Sequence, residues 1–288
     1  MRIYLDTNLW NELCDQNVEA QHVLEPLSAR NGNLILSYQV VYELARCFTT
    51  LNRFVQRNIR CVTEITEVLA AEMWGVRLGK PPEIFLNSEA FDTLRSNVGA
   101  LAGGDFDERA KTFVEERAAL ARHIRSSQAE QLTRRPDVRE RLKLISDKQL
   151  PAWLAAETRS SQGVALLVEH IRRQFSDAPP RDAYEWAVGL LTSGGCNLSK
   201  ALVRADLYYN WRCARRGSNP KDLYDDIYHV LNAIYCDIYT TKEQGHAKYA
   251  GLLLTTSTKV AIYEGQTPLA DWLLALAEDG GPSARFGA

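Results

Sequence analysis

The first eight residues constrain the fold more than any other segment of the chain. Residues 3–5 form a short apolar run, which is typical of a buried strand. The chain then changes abruptly to Asp6, Thr7 and Asn8, and helically spaced apolar residues begin at Leu9. This pattern places a carboxylate at the carboxyl end of a strand, where open α/β sheets put their ligand sites.

Strand and helix patterns alternate at both ends of the chain. We expect helices over residues 6–17 and 18–29, a turn at 31–33 and a strand at 34–36. Ser37 then stands where the N-cap of the next helix belongs. Near the end, residues 222–233 predict a helix, and residues 238–241 and 259–263 predict strands with a helix between them. This alternation indicates a parallel sheet flanked by helices.

The middle of the chain has a different pattern. Between residue 51 and Cys236 we find almost no strand-like run, whereas apolar residues recur at helical spacing, for example over 106–124 and 164–175. We therefore expect an all-helical insertion at 51–217, which interrupts an α/β core made of residues 1–50 and 218–265. The tail 279–288 has the composition of a disordered segment.

Composition excludes several classes of protein. No apolar run approaches the roughly 18 to 20 residues that span a bilayer, and the N-terminus lacks the pattern of a secretory signal. Six scattered cysteines argue against a disulfide framework or a zinc site and favour the reducing cytoplasm. Because the net charge is −2, any binding of nucleic acid needs a local basic patch.

Four residues of the helix predicted after residue 220 share one face. Asp222, Asp225, Asp226 and His229 follow the spacing i, i+3, i+4, i+7. Like charges at this spacing destabilise a helix mildly. Such a face is therefore expected to meet either solvent or a cation.

Further acids fall near the ends of the other predicted strands. Glu43 lies in the second turn of the helix after the second strand, Glu243 lies just past residues 238–241, and Asp237 precedes them. An open sheet could bring Asp6, Glu43, Asp226 and Glu243 to one edge. Carboxylates without Cys or paired His select Mg²⁺ or Mn²⁺, and such a site suits metal-assisted phosphodiester hydrolysis. Each acid alone could equally be a helix cap or a solvated charge.

These motifs resemble those of the PIN-domain nucleases. The resemblance is carried by residues 4–10 (Tyr-Leu-Asp-Thr-Asn-Leu-Trp), 36–44, 226–230 and 236–243, and it covers about residues 1–50 and 218–265. Two features depart from the family: Glu243 stands where Asp is usual, and the gap between Glu43 and Asp226 far exceeds that of compact members.

The resemblance implies a metal-dependent ribonuclease, like the toxins of toxin–antitoxin pairs or RNA-processing enzymes. By analogy, Asp6, Glu43, Asp226 and Glu243 ligate Mg²⁺ or Mn²⁺, and Asp237 lies close to them. Three further residues would orient water or the carboxylates: Thr7, Asn8 and Thr241. Hydrolysis would leave a 5′-phosphate. The resemblance leaves open whether an antitoxin or other protein partner exists and whether the chain forms a homodimer.

A basic stripe on the predicted helix 198–216 is the candidate surface for RNA. Basic side chains interleaved with an aromatic ring suit single strands, because phosphates attract cations and bases stack on rings. A solvated helix face explains the stripe equally well. Its residues are Lys200, Arg204, Tyr208, Arg212 and Arg215.

Two other functions compete with the ribonuclease. One is a PIN-like module that has lost nuclease activity and binds RNA or protein. The other is a phosphotransferase of the haloacid dehalogenase type, which also has an Asp after its first strand. That chemistry needs a second acid two residues later, and position 8 is Asn.

Overall fold

The computed structural model describes residues 1–44, 62–63, 65–82, 136–175, 180–216, 223–254 and 258–278. These residues divide into two compact units, one comprising the described residues up to 63 and from 228 onward, the other those from 65 to 227. The helix Leu223–Asn232 crosses this division.

The first unit is built on a parallel β-sheet. Its strands are β1 (Arg2–Leu5), β2 (Asn33–Ser37), β3 (Val62–Thr63), β4 (Ile238–Thr241) and β5 (Lys259–Ile262), in the order β3-β2-β1-β4-β5. Tyr4 pairs in register with Ile35 on one side and Tyr239 on the other. Strand β1 is central and buried on both faces, which explains why it appears in the sequence as a continuous apolar run.

Helices flank this sheet. They are α1 (Thr7–Asp15), α2 (Ala20–Ala29), α3 (Tyr38–Leu44), α11 (Gln244–Leu253) and α12 (Leu269–Glu278), with the carboxyl half of α10 (Leu223–Asn232). The predicted class, a parallel α/β fold flanked by helices, is confirmed.

Two elements of the first unit differ from the prediction. The two-residue strand β3 pairs with β2, although residues 51–217 were expected to form only helices. Helix α12 packs on α1 and α2 through Leu269, Leu273 and Leu276, beyond the predicted end of the core at residue 265. Both belong to the α/β unit.

The described part of the second unit is helical. Its elements are α4 (Ile65–Leu78), α5 (Pro136–Leu144), α6 (Leu150–Thr158), α7 (Ser161–Gln174), α8 (Pro180–Thr192), α9 (Asn197–Arg216) and the start of α10. The expected stripe over residues 106–124 and the tail 279–288 lie outside the described residues. No helix within the described ranges has the length and apolar character needed to cross a membrane.

A buried carboxylate anchors the long helix α9 in the second unit. Glu72 of α4 is fully buried. It accepts hydrogen bonds from the backbone N–H groups of Leu198 and Ser199 at 2.6 and 2.9 Å, and from the Ser199 hydroxyl. Because the first N–H groups of a helix have no partner within the helix, Glu72 supplies both acceptors and a favourable negative charge at this end.

Candidate functional site

Asp6 is the N-cap of α1 and lies at the carboxyl end of β1. Its Oδ1 accepts a hydrogen bond from the Leu9 N–H at 3.1 Å, and its own N–H donates to the carbonyl of Thr240 in β4. The residue is 2% exposed. The turn from strand to helix therefore fixes one carboxylate oxygen in a structural role.

The second oxygen of Asp6 is available for other chemistry. Oδ2 is buried, accepts no hydrogen bond from any residue that the structure describes, and lies 4.0 Å from Nδ1 of His246. Burial raises the pKa of the Asp6 carboxyl, and the nearby Thr241 hydroxyl, His229, the Leu9 N–H and His246 only partly oppose this effect. A buried carboxylate oxygen without a partner is energetically costly, and a bound cation would satisfy it.

Glu43 of α3 lies in a dense set of hydrogen bonds at the same edge of the sheet. Its Oε1 accepts from the Gln39 side-chain amide at 2.6 Å, and its two oxygens lie 3.0 and 3.1 Å from Nε2 of His229. Burial alone would raise the pKa of Glu43. Nevertheless, His229, the Thr7 hydroxyl and Gln39 stabilise the charged form and hold the pKa at about 2.

His229 connects Glu43 to the interior of the sheet. Its Nδ1 lies 2.9 Å from the Tyr4 hydroxyl, which lies 2.7 Å from Oγ of Ser37. Its Nε2 also lies 3.3 Å from the Thr7 hydroxyl. Ser37 accepts the Val40 N–H at 3.3 Å, as expected of an N-cap.

Glu243 is the third carboxylate at this edge. It follows β4 and precedes α11, and its Oε1 accepts from the Asn8 amide at 2.9 Å. Its Oε2 lies 3.0 Å from Nε2 of His246, one turn further along the chain. The backbone N–H of Glu243 donates to the Thr241 hydroxyl.

The structure thus brings most of the predicted residues of the first unit together. Asp6, Glu43 and Glu243 follow β1, β2 and β4, whose carboxyl ends share one edge because the strands are parallel. The three polar residues predicted to support them, Thr7, Asn8 and Thr241, contact members of this cluster.

The expected position of Asp237 is wrong. Its backbone exchanges hydrogen bonds with Arg2 and Lys259, and its carboxylate accepts from the Arg2 N–H at 2.5 Å. Asp237 therefore lies at the amino end of β4, whereas Asp6 follows the carboxyl end of β1. Four strand residues separate the two edges by roughly 13 Å.

The remaining acids of the predicted face belong to α10. Asp226 lies in the part of this helix that groups with the helical unit, one turn before His229. Asp225 lies in α10 beside it, and Asp222 lies outside the described residues.

The side chains of the site carry the type of ligand atom that a hard divalent cation binds. They are carboxylate oxygens, which Mg²⁺ and Mn²⁺ prefer, and the buried Oδ2 of Asp6 lacks a partner among the described residues. Within the described ranges, however, no three His, Cys, Asp or Glu side chains are arranged as a metal cage. Mg²⁺ usually takes only one or two carboxylates and completes its shell with water and substrate phosphate, so such a cage is not required.

The basic stripe on α9 does not present the surface that was expected. Tyr208 is only 6% exposed, so its ring does not offer a stacking platform for a base. Lys200 donates to the Ser193 carbonyl at 2.5 Å, and Arg215 pairs with Asp147. Burial lowers the pKa of Arg204, while Arg212 is half-buried on the same helix. Three of the five residues of the stripe, Lys200, Tyr208 and Arg215, are thus paired or buried within their own unit.

Two histidines of the site were not predicted from the sequence. His229 was assigned to the acidic face of its helix, and His246 was given no role, yet each contacts one of the carboxylates. Only the contact of His246 could have been predicted from neighbouring residues in the sequence, because His246 follows Glu243 by three residues at the start of a helix. Tyr4, Ser37 and Gln39 complete the set of residues recognised only in the structure.

Comparisons of the chain with protein-family models, with curated proteins and with solved structures found no match.

Proposed function

We propose that the protein is a metal-dependent ribonuclease that hydrolyses phosphodiester bonds of RNA. The observation that carries this proposal is the meeting of Asp6, Glu43 and Glu243 at the carboxyl edge of one parallel sheet, with Oδ2 of Asp6 buried and lacking a hydrogen bond from the described residues. This edge is where open α/β sheets bind ligands.

The side chains have separate roles in this proposal. Asp6 would hold Mg²⁺ or Mn²⁺ through Oδ2, and Glu43 and Glu243 would be further ligands. Asp226 is a fourth candidate by resemblance. When bound, the ion supplies a hydroxide nucleophile and stabilises the leaving oxygen. Asn8 orients Glu243, and Thr7 and Thr241 orient Glu43 and Asp6 respectively.

The proposal includes a PIN-like identity for the α/β unit and an insertion role for the helical unit. The strand order with β1 central, an acid after β1 and a second acid one turn inside the helix after β2 support the likeness. We propose single-stranded RNA as the substrate and the cytoplasm as the location. Candidate partners are an antitoxin, another protein or a second copy of this chain. Since much of the α9 stripe is engaged, RNA would need other contacts as well.

One observation favours the nuclease-inactive binding module as a second candidate. Glu43 and Glu243 each already contact a histidine, so both carboxylates have partners without a metal. The phosphotransferase is less well supported, because Asn8, at the position of its second acid, donates a hydrogen bond to Glu243 instead.

Cleavage of a labelled single-stranded RNA tests the proposal. Wild type, Asp6→Asn and the control Asp271→Asn are compared with Mn²⁺, with Mg²⁺ and with a chelator. Asp271 is an exposed acid in the first turn of α12, so its variant makes the same chemical change away from the site. We expect metal-dependent cutting by wild type and control, and none by Asp6→Asn.

Either of two results would refute the nuclease. Folded wild-type protein that cuts no RNA with any metal would favour the binding module. Cutting that persists in Asp6→Asn would show that the reaction occurs elsewhere, or that a contaminant performs it.

A further inference from the structure

His229 is held by polar contacts from several elements of the α/β unit. Tyr4 in β1 contacts its Nδ1, while Thr7 in α1 and Glu43 in α3 contact its Nε2. Its side chain is 4% exposed. Burying a histidine costs free energy unless each ring nitrogen has a hydrogen-bond partner. An apolar residue would fill the same space in the core without this requirement.

A continuous series of short polar contacts leads from Ser37 through Tyr4 and His229 to Glu43. The Val40 N–H donates to Oγ of Ser37, so the Ser37 hydroxyl can donate to Tyr4 and the Tyr4 hydroxyl to Nδ1 of His229. Nε2 of His229 faces both oxygens of Glu43, and a hydrogen on Nε2 can be donated to this carboxylate.

The contact with Glu43 is symmetrical. The distances from Nε2 to the two carboxylate oxygens are 3.0 and 3.1 Å, so the ring fixes the carboxylate as a whole rather than one oxygen. The Gln39 amide on Oε1 fixes it further. Without this anchor, the three rotatable bonds of the Glu43 side chain would allow other positions.

We propose that His229 is a positioning residue: the series Ser37–Tyr4–His229 holds the Glu43 carboxylate in place for the divalent cation. This inference rests on the proposed function. Outer partners of metal-binding carboxylates act in this way elsewhere, and their loss typically weakens metal affinity 10- to 100-fold.

The first test compares His229→Leu with His229→Gln. Mn²⁺ is titrated into each folded protein without RNA, and the free Mn²⁺ ion is measured by electron paramagnetic resonance. We expect His229→Leu to bind Mn²⁺ about 10- to 100-fold more weakly than wild type. His229→Gln should recover most of the affinity, because its side-chain amide can still donate to Glu43. In cleavage assays, the Mn²⁺ concentration for half-maximal rate should rise by the same factors.

A second pair of variants acts at a distance from Glu43. Tyr4→Phe removes only the hydroxyl that orients His229, and we expect about fivefold weaker Mn²⁺ binding, the factor that corresponds to one net hydrogen bond. The matched control is Tyr263→Phe. Tyr263 is also buried, and its hydroxyl is hydrogen-bonded to Thr267 and Gln16, so its variant loses similar contacts but should bind Mn²⁺ as wild type does.

The outcomes separate this inference from the proposed function. Wild type that binds no Mn²⁺ would refute the metal site itself, and the inference with it. Wild type that binds Mn²⁺ while His229→Leu and Tyr4→Phe bind it equally or more tightly would overturn the role of His229 alone. If His229→Leu does not fold, Tyr4→Phe against Tyr263→Phe decides: weaker binding by Tyr4→Phe only supports the inference, and equal binding overturns it.

Discussion

Replacement of Glu43 by Gln should alter stability in a way that depends strongly on pH. The contacts of Glu43 lower its pKa from the usual 4.5 to about 2. Each unit of difference between the folded and unfolded pKa corresponds to about 1.4 kcal/mol, so the charged carboxylate contributes about 3 kcal/mol of stability. The side chain is 21% exposed, so solvent screening leaves most of this contribution in place.

The sign follows from the direction of the pKa shift. Because the folded pKa lies below the unfolded one, the contribution is fully present above about pH 5 and is lost as the pH falls towards 2. Wild type should therefore exceed Glu43→Gln in free energy of unfolding by up to about 3 kcal/mol at pH 7, and by progressively less on acidification. Because the pKa of Asp6 is raised in the folded state, its contribution to stability increases as the pH falls. Both proteins contain Asp6, so this contribution largely cancels in the difference between them.

Urea unfolding of metal-free protein at pH 7, 5, 4 and 3 measures this difference. The control is Glu25→Gln, which changes an exposed glutamate of α2 and should give a small, pH-independent effect. A difference between wild type and Glu43→Gln that stays constant from pH 7 to pH 3, or grows on acidification, would refute the assignment of His229 and Gln39 as partners of a charged Glu43.

Three further predictions follow from individual contacts. Asp6→Asn should leave the melting temperature of the metal-free protein unchanged or raise it, since it removes a buried charge whose pKa is raised by burial; a clear decrease in differential scanning fluorimetry would contradict this. Glu72→Gln should cost about 2 kcal/mol or more in urea unfolding, because an amide nitrogen would face an N–H group of Leu198 or Ser199; a loss below about 0.5 kcal/mol would show that the carboxylate is not needed there. Glu243→Gln should cost less than about 1 kcal/mol, because its side chain is 51% exposed, but should abolish or strongly reduce metal-dependent cleavage; full activity would remove Glu243 from the site.

The strands could be predicted from the sequence because each is a short apolar run beside clear turn residues. Strand β4 has the expected bounds, residues 238–241. Strand β1 ends at Leu5, directly before Asp6, as expected. The two-residue β3 escaped prediction because two residues carry no periodicity. Helix α12 was missed although Leu269, Leu273 and Leu276 have helical spacing.

The carboxylates of the candidate site and the supporting Thr7, Asn8 and Thr241 could be predicted from the sequence, whereas its two histidines could not. An acid directly after a strand can be read locally, but the contact between Glu43 and His229 joins residues 186 positions apart, and one sequence does not show such a pairing. The burial of Tyr208 could not be predicted either, since it depends on the neighbouring helices of its unit. Asp237 is different: its place before the strand indicated the opposite edge, and the resemblance to PIN domains led the prediction away from that local reading.

Asp6 shows how fold and chemistry can share one side chain. Its Oδ1 caps α1 and so belongs to the fold, whereas Oδ2 is left buried without a hydrogen bond from the described residues. Asparagine is as good an N-cap as aspartate, so Asp6→Asn keeps the cap and removes only the charge. Serine would also keep a cap, yet it lacks an atom at the position of Oδ2. If the buried oxygen were needed only for the fold, its negative charge would be a cost that asparagine avoids. The fold alone therefore does not account for the charge of Asp6, which the proposed cation would stabilise.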